Sequence, residues 1–408
     1  MTRVETPYLQ KQINQDLETT TMLTKNTLAV AVGLSLATLS APTQAAVTFG
    51  DTEFTYGGYI KLDFLYTDTP DGDLATGIGR EFYVPSLTPV GGEGESGKFD
   101  AHARQSRFFF NSATKLDNGK TITGRIEFDM MTTPIGDERI TNGYSPEVRH
   151  AFISYDGWIF GQTWSNFMDV ASLPDSLDFV GNTDGSVFNR QAQVRYTSGS
   201  WSVSAENPES TITPFGGGAR IVTDDNSIPD LTLKYNFADT WGSVAVAVLA
   251  REIAYENMAA GIDDQTNGYG VSISGKYNLS AKDDIRFTVN TGEGIGRYIG
   301  LNTSNDAVIA ADGTLDAIPV TAYALAYRHM WDDKWRSSFI YSAQSIDNDS
   351  ALTGGAVTDK TSSIAVNLIY QAASKLMYGV ELRHATREVV SGADGDLNRV
   401  QFSAMYTF

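Results

Sequence analysis

From Phe54 onward, apolar and polar residues alternate with a period of two, in segments of roughly 9 to 14 residues separated by turns or polar loops. The first segment sets Phe54, Tyr56, Gly58, Ile60, Leu62, Phe64 and Tyr66 on one face and Thr55, Gly57, Tyr59, Lys61 and Asp63 on the other. The period returns at Ile122 to Met130, Leu231 to Phe237, Tyr269 to Leu279, Ile285 to Val289, Ile364 to Tyr370 and Leu376 to Leu382. Weaker segments lie near 102–115, 147–156, 157–163, 191–197, 200–207, 241–254, 319–331 and 334–346. The final stretch has Val400, Phe402, Ala404, Tyr406 and Phe408 on one face and Arg399, Gln401, Ser403 and Thr407 on the other, and it closes on an aromatic ring. One apolar and one wet face suit a wall between lipid and water, so the pattern predicts an all-β chain folded as a transmembrane antiparallel β-barrel of about 16 strands.

The connections alternate in length. Asp117-Asn118-Gly119, Ser198-Gly199, Asp239-Thr240, Ser280-Ala281, Asp332-Asp333 and Ala373-Ser374 read as tight turns, whereas 67–99, 132–146, 208–228, 255–266, 296–317, 347–359 and 388–395 read as long loops. Short periplasmic turns and long external loops fit that alternation. A ring of about 16 tilted strands encloses a channel, where eight would leave only a packed interior.

At the amino end, Met22-Leu23-Thr24-Lys25, the apolar run Leu28 to Leu39 and Ala41-Pro42-Thr43-Gln44-Ala45 read as a signal peptide over 22–45. Residues 1–21 are polar and read as an upstream extension, with Met22 as the start; the barrel domain is 46–408, with no linker inside it. The chain has no cysteine, which excludes disulfides and thiolate chemistry. No apolar run long enough for a spanning helix follows residue 45, so membrane insertion has to use strands. A net charge of −19 argues against nucleic acid.

With the apolar face outward, the lumen receives Arg107, Arg125, Glu127, Asp129, Arg195, Lys234, Lys276, Arg286, Arg336, Arg383 and Arg399, most of them cationic. The acids crowd the loops instead, as in Asp68 to Asp73, Asp224-Asp225, Asp263-Asp264 and Asp347 to Asp349. Arginines in a narrow passage attract anions and can hold carboxylates bidentately; the alternative is that they pair with Glu127, Asp129 and Glu381 and stiffen the wall. The segment Ser165 to Gly181 breaks the rhythm and is too apolar for a solvated loop. Folded into the lumen, it would pack Phe167, Met168, Leu173, Leu177 and Phe179 on the wall and set Asp169, Asp175 and Asp178 against wall arginines. On the surface, it would pack on a neighbouring subunit.

The stretch Phe160-Gly161-Gln162-Thr163-Trp164-Ser165-Asn166-Phe167-Met168-Asp169, then Pro174-Asp175, Asp178-Phe179 and Phe188 to Tyr196, resembles the DcaP-like porins of Gram-negative bacteria. Ala103 to Phe108 and Gly124 to Asp129 are similar to that family's preceding strands, and beyond about residues 100–200 the likeness is architectural. The resemblance implies a homotrimer of 16-stranded barrels in the outer membrane, an inward-folded loop after the fifth strand, and passage of small organic anions such as dicarboxylates. Outer-membrane lipids and lipopolysaccharide would surround it, and no cofactor is implied. The expected basic side of the constriction is Arg107, Arg125, Arg195, Arg149 and, at a loop–strand junction, Arg190; the acidic side is Asp169, Asp175 and Asp178. Glu127, Asp129, Lys234, Arg286, Arg336, Arg383 and Arg399 complete the lumen set.

Other chemistry is weaker. His102, His150, His329 and His384 are too scattered to announce a metal site, and Asp68 to Asp73 lacks the distal glutamate of a calcium loop. Gly292-Glu293-Gly294-Ile295-Gly296 follows a strand and reads as a bend. The rival classes are a barrel enzyme, with His384 and Ser363 as an imaginable pair, an adhesion or ligand-binding barrel with a plugged lumen, and a non-selective porin.

Overall fold

A computed structural model describes residues 46–94, 97–134, 136 and 139–408. The signal peptide of 22–45 and the extension of 1–21 lie outside the described residues. The main sheet contains 18 strands; the short Val47–Phe49 only pairs onto its neighbour, and Lys98–His102 and Arg107–Lys115 are two halves of one stave, which leaves 16. They are β1 (Thr52–Asp68), β2 (Lys98–His102 with Arg107–Lys115), β3 (Thr121–Asp129), β4 (Glu147–Tyr155), β5 (Trp158–Trp164), β6 (Arg190–Ser198), β7 (Trp201–Glu206) and β8 (Asp230–Asp239). The second half is β9 (Gly242–Asn257), β10 (Ile262–Asn278), β11 (Asp283–Glu293), β12 (Pro319–Met330), β13 (Trp335–Ile346), β14 (Thr358–Ala373), β15 (Leu376–Val389) and β16 (Asp394–Thr407). Each pairs antiparallel with its neighbour in sequence, and Tyr59↔Thr407 through Asp68↔Asn398 closes β1 on β16. The barrel is all-β and has no open edge, which satisfies every stave's backbone within the membrane.

The alternation in sequence becomes the two faces of the wall. Ile60, Leu62, Tyr66, Leu231, Leu233, Phe237, Val400, Phe402 and Tyr406 are exposed on the outside, with no core over them. Their neighbours Thr232, Ser272, Ser274, Asn290, Ser342, Asn367, Gln401 and Ser403 point inward and are buried. An apolar outside with a polar inside is the inverse of a soluble protein and the arrangement lipid demands.

Two of the expected long loops are corrected. Residues 255–266 and 388–395 are mostly strand: β9 and β10 continue to a turn at 258–261, and β15 and β16 to one at 390–393. There the staves rise beyond the apolar band, one face carries Glu256 and Asp263 and the other Asp264, and the two-residue contrast that marks a strand disappears. The loop 67–99 is not simply solvated either: it carries a short helix, Ile78–Glu81, buries Tyr83 against Ala385 and Leu397 on the inside of the wall, and packs Phe82 on Met131 and Val180. The loops after β7 and β11 build a small second sheet, in which Ser210–Thr213 lies between Ile221–Thr223 and Ala307–Ile309, with Leu315–Ala317 at the far edge.

Wall height is uneven. Staves β4 to β7 have 9, 7, 9 and 6 residues, whereas β9 and β10 have 16 and 17. Pairing of β4 with β5 stops at Ala151↔Gln162, beside Gly161, whose φ of 130° and close approach to the Ala151 carbonyl exclude a side chain. From this bend the chain leaves the low wall and enters residues 165–189.

Candidate functional site

The loop 165–189 is bonded to inward-facing side chains around most of the ring. Lys234 on β8 donates to the Met168 carbonyl at 3.0 Å, Ser274 on β10 to Asp169 at 3.2 Å, and Arg286 on β11 to the Leu173 carbonyl. Asn290 on the same stave donates to the Gly185 carbonyl at 2.7 Å. On the far wall Arg336 of β13 binds Asp175 at 2.6 Å, Asn367 of β14 donates to the Asp175 carbonyl at 2.8 Å, and Lys61 of β1 to the Leu177 carbonyl at 2.6 Å. Glu381 of β15 accepts from the Ser176 hydroxyl at 2.8 Å and from the Leu177 amide at 2.8 Å. Such partners place the loop within the ring. Apolar contacts follow the same path: Phe167 and Met168 pack with Ala247 and Leu249 of β9, and Leu177 with Ile369 and Met377.

A buried polar knot ties this loop to the loop 69–97. Asp184 accepts from the Tyr83 hydroxyl, from Ser342 and from Ser363, at 2.8, 2.8 and 2.6 Å. Burial first, and then the Asp184 carboxylate beside it, push the Tyr83 phenol well above its ordinary range. Burial also opposes ionisation of Asp178, but the Arg383 guanidinium and the Tyr83 amide outweigh it and hold that carboxyl below its ordinary value.

The expected lumen residues separate into groups. Arg107, Arg125 and Arg149, on β2, β3 and β4, converge on Glu127 and Asp129. Arg107 reaches Asp129 at 3.0 Å, Arg125 reaches Glu127 at 2.5 Å, and Arg149 spans both at 3.0 and 2.9 Å. Arg149 faces inward next to His150 because a register shift between Glu127 and Phe128 sets two successive residues of β4 on one face. The guanidinium of Arg125 also lies 4.2 Å from the Phe109 ring centre. Arg195 bonds to Gln193 and the Trp164 carbonyl, while Arg190, on the opposite parity, stacks on Trp164 and lies 3.8 Å from Glu147 at the rim. Arg383 pairs with Glu381 and binds the Gly181 carbonyl; Arg399 binds Thr67 and the Gly79 carbonyl.

The acids of the loop do not meet the Arg107 group. Asp169 caps the following turn through the Ala171 amide, Asp175 is held by Arg336, and Asp178 turns to Arg383 and the Tyr83 amide. A cavity of about 600 Å³ opens above the low wall, with Arg190, Arg220 and Arg297 beside Phe82, Phe179 and Phe188.

Sequence reasoning missed Tyr83, Asp184, Arg251, Arg297 and Arg328. The Arg251 side chain, fully buried on β9, bridges Asp230 and Asp306 at 3.2 and 2.9 Å. The rival chemistry dissolves: Ser363 points into the Asp184 knot, and His384 on the outer face bonds Asn398, so the imagined pair lies on opposite sides of the wall. Among the described residues no cluster of three or more His, Asp or Glu could hold a metal ion.

Comparison with curated protein sequences finds no match. Among solved structures, the outer membrane channel DcaP of Acinetobacter baumannii is similar with a TM-score of 0.73 and 25% identity, over 88% of this chain and 97% of that one. The anion-selective porin from Comamonas acidovorans (TM-score 0.55, 11% identity, 88% of this chain and 100% of that one) and OmpF of Salmonella typhi (0.57, 12%, 89% and 100%) share the fold. These are channels rather than enzymes, and the barrel, its polar interior and its lipid-compatible outside place the chain in the Gram-negative outer membrane as a channel. The family described as DcaP outer membrane protein matches residues 5–408, and the chain belongs to that family.

Proposed function

We propose that this channel prefers anions and lets small organic anions, dicarboxylates among them, diffuse down their gradient. The observation that carries this is the composition of the inward wall cluster: three guanidiniums, of Arg107, Arg125 and Arg149, share only two carboxylates, Glu127 and Asp129. Arg195 and Lys234 add inward charge while bonding neutral groups. Pairing and selection therefore coexist, because the pairs hold the arginines in place and the surplus cation sets the sign of the field. In a planar bilayer under a tenfold KCl gradient, the reversal potential is expected to take the sign of chloride permeability. The opposite sign would refute the reading, and a value near zero would make this a non-selective porin.

The loop 165–189 narrows the passage in this proposal, with Glu381 as a principal pin. Replacing Glu381 by alanine removes the acceptor for Ser176, Leu177 and Asn367 and leaves Asp178 as the remaining carboxylate beside the buried Arg383. The two lost hydrogen bonds from the loop to this carboxylate, at about 1.5–3 kcal/mol each, together cost about 3–6 kcal/mol, enough to depopulate the pinned position. Single-channel conductance should rise and become noisy; unchanged, steady conductance would mean that the loop does not set the width.

The low wall supports a homotrimer. At about 3.3 Å per residue and a tilt of about 40°, six to nine residues reach only roughly 15–23 Å, short of an apolar band about 25 Å tall. Ile153, Trp158, Phe160, Val194, Trp201 and Val203 face outward there. Two further copies of the chain would cover this side, and channels are expected to open in groups of three equal conductance steps; isolated single steps at all protein concentrations would exclude the trimer.

A further inference from the structure

A second cationic group lies on the wall opposite Arg107, Arg125 and Arg149. Staves β2 to β4 and β10 to β12 are eight apart in a ring of 16, hence diametrically opposed. Lys276, Arg286 and Arg328 occupy inward positions on β10, β11 and β12 and converge on one carboxylate, Asp284, at 3.7, 2.9 and 2.6 Å. The carboxylate is 2% exposed, whereas Lys276 and Arg328 are 31% and 28% exposed. Three cations on one acid leave two positive charges, more than the surplus of one in the Arg107 group.

Height matters as much as charge. Lys276 and Arg328 are each two residues from the short-turn end of their staves, and Asp284 is the second residue of β11. Arg286 reaches up to the Leu173 carbonyl, so the group lies on the short-turn side of the loop 165–189. Beside it a cavity of about 470 Å³ is lined by Arg328, Asp284, Asn278, Ser280, Thr240 and Asp283, whose carboxylate is taken by Tyr327 and His329. The Nε atom of Arg328 is buried there without a hydrogen-bond partner. A carboxylate or phosphate oxygen could take that donor and the Lys276 ammonium without displacing Asp284.

We infer that Lys276, Arg286 and Arg328 form a second anion-binding station at the short-turn mouth, which holds carboxylate- or phosphate-bearing solutes on the far side of the loop from the first. The inference rests on the anion-preferring reading. Two staggered stations at opposite walls make the pore asymmetric: anions entering from the short-turn side are concentrated before the loop, and those entering from the other side after it.

The test is a Lys276→Gln, Arg328→Gln channel, which keeps Arg286 on Asp284 and on the loop, compared with the wild type in oriented planar bilayers with chloride and then inorganic phosphate. At 0.1 M salt the variant should lose about threefold of the anion current entering from the short-turn side, with the opposite direction nearly unchanged. At 1 M salt, where charges are screened within about 3 Å, both proteins should conduct alike, which shows an intact pore. An anion-selective wild type whose variant keeps the same low-salt current in both directions would overturn the station and leave the proposed function standing. A cation-selective wild type would overturn both.

Discussion

Replacing Arg107 and Arg125 together by glutamine is expected to reverse the ion selectivity of the channel. The wall cluster then changes from three guanidiniums on two carboxylates to Arg149 alone on Glu127 and Asp129, a swing from one surplus positive charge to one surplus negative. A unit charge about 8 Å from the ion path is worth roughly 2 kcal/mol at an effective dielectric of 20. Screening at about 0.1 M salt, where the Debye length is about 10 Å, removes around half of it. Two units therefore move the anion:cation permeability ratio by at least about tenfold, and the reversal potential should change sign. Both arginines are partly exposed, at 12% and 19%, and Arg149 still spans the two buried carboxylates at 3.0 and 2.9 Å, so the substitution leaves neither acid without a cation and the barrel keeps its fold. A ratio within about twofold of the wild type would show that the cluster only stiffens the wall. In 1 M salt the two channels should converge, since the effect is electrostatic.

Much of this wall was legible in the sequence, for a physical reason: a stave between lipid and water must alternate, so Arg107, Arg125, Arg336, Arg383 and Arg399 could be assigned to the lumen by parity alone. Parity fails where its premise fails. Arg149 faces inward only through the bulge, and Arg190 reaches the rim group from the wrong parity because β5 and β6 bend away from β4. Arg328 was missed because the inward face of β12 carries Val320, Ala322, Ala324 and Ala326, as apolar as the outward Tyr323, Leu325 and Tyr327. Tyr83 and Asp184 sit in loops without period, and their meeting depends on two long loops sharing one interior, a tertiary fact with no local signal. The apolar residues of 165–181 showed that the segment needed burial, and its acids were expected to face wall arginines, but only the fold decides that Asp175 takes Arg336.

The same distinction between wall and loops governs the second large effect. Arg251→Met is expected to free the small outer sheet while leaving the barrel in place. Arg251 binds Asp230, Asp306, the Gly294 carbonyl and the Glu209 carbonyl, and so ties β8 and β9 to both loops that make that sheet. Asp306 in turn holds the Thr211 amide at 2.8 Å and the Arg297 amide at 2.9 Å. Methionine fills the stem's volume but takes away the cation that lies between two fully buried carboxylates, leaving Arg297 at 3.5 Å and the Tyr298 hydroxyl at 2.7 Å on Asp230, at a cost of about 3–5 kcal/mol. The β8–β9 ladder does not depend on this side chain, so the cost falls on local opening and not on the barrel. An opening equilibrium shifted by that amount rises by roughly 10²–10⁴, and proteolysis at the exposed Phe215 to Gly218 stretch should accelerate to match, with the core fragment still resistant. If cleavage stays at the wild-type rate, the ion network is not what holds the sheet. Adding Asp230→Asn to Arg251→Met should recover part of the protection, because it removes one of the two uncompensated buried charges and its carbonyl oxygen can still accept from the Tyr298 hydroxyl, whereas Asp306 accepts backbone amides on both oxygens and has to stay a carboxylate.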